Sequence, residues 1–124
     1  MHALIIEDEF FIAMEIEDIL SDLGFTSFDI ALTPQDAIDA AKRLCPDLIT
    51  SDVQLRPGCG ISTVLTICEC RAIPVIFLTG TRDEVLRRLP PSRVLSKPFS
   101  SSQLSDEVQA ALVEDLGRIT GLSH

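Results

Sequence analysis

Five residues able to do chemistry sit where apolar runs stop. Glu7 and Asp8 follow Ala3-Leu4-Ile5-Ile6, and Asp52 follows Leu48-Ile49-Thr50-Ser51. Thr79 follows Pro74-Val75-Ile76-Phe77-Leu78, and Lys97 follows Val94-Leu95-Ser96. Short apolar or β-branched runs bounded by turn residues read as strands covered on both faces. A carboxylate at the end of such a strand is costly unless a charge or a metal meets it. If these strand ends share one rim, three carboxylates, a hydroxyl and an amine converge. At ~4 Å and an effective dielectric of about 20, each like-charge contact costs on the order of 4 kcal/mol. One lysine cannot offset that, so a divalent cation is the natural partner. Oxygen-only donors with few protein ligands suit Mg²⁺. Such a cluster supports phosphoryl transfer onto a carboxylate, with Asp52 as the nucleophile. Mg²⁺, Lys97 and the Thr79 hydroxyl would neutralise charge on the phosphoryl oxygens. Taken singly, each residue is an ordinary turn, cap or loop residue; the chemistry rests on the set, each member at a strand end.

The elements that must position them alternate. After the first strand (3–6), Ile12, Ile16, Ile19, Leu20 and Leu23 recur at helical spacing, with Gly24 as the C′ residue. Thr26 to Ala31 predicts a second, less apolar strand near an edge. Thr33, Pro34 and Asp36 open the next helix as N-cap, N1 and first-turn acid. Its face is Ala37, Ala40, Ala41 and Leu44, and Cys45-Pro46 stops it. Asp52 closes the third strand. Ile61, Val64, Leu65 and Cys68 mark a third helix, and the fourth strand follows. Val85, Leu86 and Leu89 suggest a helix between strands four and five, cut short by Pro90-Pro91, with mobility expected over 81–93. Ser100-x-x-Gln103 reads as a capping box. A last helix then carries Leu104, Val108, Ala111, Leu112 and Leu116, and residues 118–124 are expected to fray. Strand–helix alternation repeated five times predicts an α/β domain, a parallel sheet with helices on both faces.

The 124 residues suit a single domain, and 46% apolar content supports one real core. A net charge of −9 disfavours nucleic-acid binding, which needs clustered Lys and Arg. No apolar run approaches the ~20 residues of a membrane span. Cys45, Cys59, Cys68 and Cys70 are expected to be reduced thiols, and Cys68-x-Cys70 has no second pair at zinc spacing. The expected location is the cytoplasm.

Ile5-Ile6-Glu7-Asp8-Glu9, Asp52 after its apolar strand, Leu78-Thr79-Gly80 and Ser96-Lys97-Pro98-Phe99 together resemble the response-regulator receiver domain. The likeness covers nearly the whole chain, 1–124. It implies a flavodoxin-like (βα)5 sheet of order 2-1-3-4-5, as in stand-alone CheY-like receivers. It implies Asp52 as phosphoacceptor, Glu7 and Asp8 as Mg²⁺ ligands, and the Gln54 backbone carbonyl as a third ligand beside Asp8 and Asp52. Thr79 becomes the switch hydroxyl and Lys97 the phosphate-pairing lysine, with a cis Lys97-Pro98 bond. The implied donor is a sensor histidine kinase or a histidine phosphotransfer protein. An output protein would bind the face made by the fourth helix, fifth strand and fifth helix, and the domain would be a monomer or weak dimer.

Two features depart from the pattern. Val94 stands where the family often has an aromatic, and the segment from Thr79 to Lys97 is short. With Phe77-Leu78-Thr79-Gly80, the chain looks like a subgroup of single-domain receivers in which ordering of the fourth helix carries the signal. Other functions compatible with the residues are a phosphate shuttle or sink without an output partner, and a Mg²⁺-dependent small-molecule phosphotransferase. The last is disfavoured by the absence of a Gly-rich phosphate loop. Slow autodephosphorylation is expected, with Gln54 and Thr81 flanking the phosphoryl site, and no other enzymatic activity.

Overall fold

Five short strands pair in parallel in the order β2-β1-β3-β4-β5, as the resemblance implies. They are β1 (His2–Ile6), β2 (Ser27–Ala31), β3 (Leu48–Asp52), β4 (Val75–Thr79) and β5 (Val94–Ser96). The helices are α1 (Phe10–Asp22), α2 (Pro34–Arg43), α3 (Gly60–Ile67) and α4 (Ser101–Thr120). The computed structural model describes residues 1–54, 59–69, 72–80 and 94–120, with side chains as far as 113. The helix expected between strands four and five, and Thr81, lie outside the described residues.

The near-continuous apolar runs of β1, β3 and β4 follow from burial on both faces. Alternate residues of one strand face opposite layers. Leu4, Ile6, Ile49, Val75 and Phe77 pack with Ala37 and Ala40 of α2 and with Ile61 and Val64 of α3. Ala3, Ile5, Leu48, Ile76 and Leu78 pack with Ala13, Ile16 and Leu20 of α1 and with Leu104 and Val108 of α4. β2 is an edge strand, which accounts for its mixed composition.

The helix ends follow from local chemistry. The Asp36 amide donates to Thr33 Oγ1 at 3.2 Å, and Pro34 occupies the first turn. Gly24 takes φ +103°, a conformation that favours glycine, just after α1. The Ser100 amide donates to Gln103 Oε1 at 2.8 Å and the Gln103 amide to Ser100 Oγ at 3.2 Å, closing the capping box of α4.

Two expectations are corrected. Leu44 is 52% exposed, because the chain leaves the helix at Arg43 and Leu44 is already extended (φ −149°, ψ 110°). Leu65 is 60% exposed. Thr63 takes an inward position instead, its hydroxyl satisfied by the Cys59 carbonyl at 2.9 Å. The last helix runs through Thr120, and residues 121–124 of the expected frayed tail lie outside the described residues. Gly117 costs a helix only about 1 kcal/mol and no proline follows it.

Candidate functional site

Register brings the strand ends together. Ile6 is level with Ser51, Asp52 with Leu78, and Thr79 with Ser96. The residues that follow therefore emerge on one rim, the carboxyl edge where ligands bind in open α/β sheets. Three backbone bonds extend the ladder past the strands. The Glu7 amide donates to Ala31 O at 3.0 Å, the Val53 amide to Leu78 O at 3.0 Å, and the Lys97 amide to Thr79 O at 2.9 Å. The Lys97-Pro98 peptide is cis.

Glu7, Asp8 and Asp52 each offer a carboxylate oxygen, and these oxygens lie within 4.8 Å of one another. Lys97 Nζ donates to Glu7 Oε1 at 2.9 Å and lies 3.4 Å from Asp52 Oδ2. Asp52 also accepts from the Gln54 backbone amide, at 3.1 Å on Oδ1. The second Glu7 oxygen accepts from the Glu9 amide at 3.2 Å. Beside this cluster opens a cleft of about 380 Å³ lined by Asp8, Glu9, Asp52, Gln54, Gly80 and Lys97.

Glu7 is fully buried. That burial pushes its carboxyl up to about 7, against the lowering effects of the Lys97 and Glu9 hydrogen bonds. Burial alone would lower Lys97, but its contacts with Glu7 and Asp52 outweigh this and raise it. Ammonium and carboxylates thus hold one another in a partly dry cluster. The donor set is all oxygen, compact and open to solvent through exposed Asp8. That fits a small hard cation that keeps several waters, as Mg²⁺ does.

α3 sets the floor. A Cβ on Gly60 would fall on the Asp52 carbonyl oxygen and lie 2.7 Å from Ser51 Oγ. Only glycine lets the helix start this close to the strand end. The Gly60 amide donates to Val53 O at 2.9 Å, fixing the turn after Asp52.

Of the residues singled out from sequence, Glu7, Asp8, Asp52 and Lys97 are brought together. Gln54 lines the cleft and presents its amide to Asp52. Thr79 is fully buried at the end of β4, and it is not among the residues lining the cleft. Glu9 and Gly80 do line it, without having been assigned a role. Their signal was adjacency: each directly follows a residue that had been chosen.

The sequence pattern of the response regulator receiver domain matches residues 3–109. The phyllosphere-induced regulator PhyR of Methylorubrum extorquens is 34% identical over 113 residues, covering 88% of this chain and 42% of PhyR. The transcriptional regulatory protein PdtaR of Mycobacterium tuberculosis is 33% identical over 113 residues, covering 88% of this chain and 55% of PdtaR. The chain thus spans about half the length of these relatives. The receiver domain of PhyR from Erythrobacter litoralis superposes with a TM-score of 0.83 at 34% identity, covering 90% of this chain and 89% of that one.

Proposed function

This chain belongs to the response regulator receiver domain family of two-component signalling, and from that premise we propose that Asp52 is its phosphoacceptor. The observation that supports this is the convergence of Glu7, Asp8, Asp52 and Lys97 at one rim of the sheet. An Asp52 carboxylate oxygen attacks the donor phosphorus while the donor's bond to that phosphorus breaks. The donor is a phosphohistidine of a sensor kinase or phosphotransfer protein, or a small acyl phosphate. Glu7, Asp8, Asp52 and the Gln54 backbone carbonyl would hold Mg²⁺, which would neutralise charge on the phosphoryl oxygens. Lys97, already 3.4 Å from Asp52, pairs with a phosphoryl oxygen. Thr79, whose backbone carbonyl accepts from the Lys97 amide, would take the role of switch by turning its buried hydroxyl to another phosphoryl oxygen.

Phe10, Phe11 and Met14 at the start of α1 are exposed, Phe11 by 85%. Phe10 and Phe11 directly follow Glu9, which lines the cleft, and with Met14 would offer a protein donor an apolar surface. Output then runs through the face containing β5 and α4, where Val94 leaves no ring to swing inward. Intact mass after incubation with acetyl phosphate tests the reading. One phosphoryl group should be gained in Mg²⁺ and none in EDTA. Equal gain in both, or none in either, overturns it.

A further inference from the structure

A second cluster of polar side chains lies away from the carboxylate cleft, where β1 and its edge neighbour β2 begin. Register sets His2 level with Ser27 and Leu4 level with Asp29, so Ser27 and Asp29 project from the same face of β2. The His2 ring bridges them. Nδ1 lies 2.7 Å from Ser27 Oγ, and Nε2 lies 3.0 Å from Asp29 Oδ2. An ionised carboxylate only accepts hydrogen bonds, so Nε2 carries the hydrogen and donates to Asp29. Nδ1 of the neutral ring is then the acceptor, and the Ser27 hydroxyl donates to it. The backbone beneath the ring is held as well. The His2 amide donates to Asp47 Oδ2 at 2.8 Å, and the Asp47 amide donates to His2 O at 2.7 Å. His2 is buried, whereas Ser27 is exposed. The Thr26 amide donates to Met1 O across the β1–β2 ladder. Successive amides of a strand point to opposite sides, so the Ser27 amide points outward from the sheet edge.

We propose that Ser27, His2 and Asp29 form a nucleophilic site that takes the acyl group of a small activated carboxylic ester and hydrolyses it. A hydroxyl bonded to a base, with the base oriented by a third group, is the arrangement that activates a serine. Ser27 Oγ attacks the ester carbonyl carbon, and its proton passes to His2 Nδ1. The outward Ser27 amide donates to the oxyanion that forms. Collapse breaks the bond to the leaving oxygen, which departs with the proton from Nδ1, and the acyl group stays on Ser27. A water then attacks the acyl carbon and gives a proton to Nδ1. The Ser27 oxygen leaves and recovers that proton. One ester and one water become one acid and one alcohol, with no change of oxidation state. Asp29 does not touch the substrate. It is a positioning residue that fixes the ring's tautomer and offsets its charge when Nδ1 is protonated.

The test uses the chain with nothing fused before Met1, because residue 2 belongs to the site. It is incubated with p-nitrophenyl acetate. Nitrophenol release should begin with a burst of about one equivalent per chain. Digestion and mass spectrometry should place the acetyl group on Ser27. Ser27→Ala should abolish both the burst and the label. His2→Gln should slow acylation about 100-fold or more. Asp29→Asn should slow it too, and Asp29→Glu should restore part of the rate, a rescue that a merely structural role would not give. If His2→Gln does not fold, Ser27→Ala decides alone, because its side chain is exposed. Acetyl groups on lysines or the N-terminal amine alone, an unchanged burst in Ser27→Ala, or a rate indifferent to Asp29→Asn would overturn the proposal.

Discussion

Glu7→Gln should remove a pH dependence that the buried carboxyl imposes on the fold. The Glu7 carboxyl rises from 4.5 to about 7 on folding, chiefly because burial disfavours its charged form. Below the lower value both states hold the proton. Between the two values only the folded state holds it, so folding takes up a proton and stability falls as pH rises. Above the higher value both states are ionised and the loss is complete. The interval corresponds to about 3 kcal/mol at 1.36 kcal/mol per pH unit. Other carboxylates titrate too, so the quantity to follow is the difference between wild type and variant. Urea unfolding in EDTA, at steps from about pH 4 to about pH 8, yields that difference. Wild type should lose about 3 kcal/mol relative to Glu7→Gln across the series. A flat difference, or one of opposite sign, would refute the claim that Glu7 is held in a dry site.

Three further outcomes are expected. Mg²⁺ at about 100 times its Kd should stabilise wild type by about 2.7 kcal/mol, and Asp52→Asn should reduce that gain sharply in thermal unfolding, since it removes one of three clustered carboxylates. Gly60→Ala should destabilise by at least about 2 kcal/mol, read from the urea midpoint, because the new methyl group meets the Asp52 carbonyl oxygen. Thr33→Ala should cost about 1 kcal/mol by the same measurement, through loss of the Asp36 amide's acceptor at the start of α2.

What could be read from sequence was whatever leaves a one-dimensional trace. Apolar runs stopping at acids marked the strand ends, and the mixed composition of 26–31 marked an edge. Thr33-Pro34 and Ser100-x-x-Gln103 named helix starts because caps use fixed residue types at fixed offsets. The sheet order came from resemblance to a family, since alternation alone allows several. Side choice was harder to read. Leu65 fits a helical stripe, yet Thr63 faces inward by satisfying its hydroxyl on the Cys59 carbonyl. Leu44 fits the α2 face until its backbone turns extended. The approach of Gly60 to the Asp52 carbonyl exists only in three dimensions. Glu9 belongs to the acidic run after β1 but carried no assigned role; the turn after β1 puts it in the cleft.

The account depends most on which carboxylate takes the phosphoryl group. Protein treated with acetyl phosphate and Mg²⁺ can be reduced with borohydride, which converts an aspartyl phosphate to homoserine, and then sequenced by mass spectrometry. Homoserine should appear at position 52 alone. Homoserine at position 8, glutamate-derived reduction at position 7, or an unmodified Asp52 in protein that has gained a phosphoryl group would contradict it.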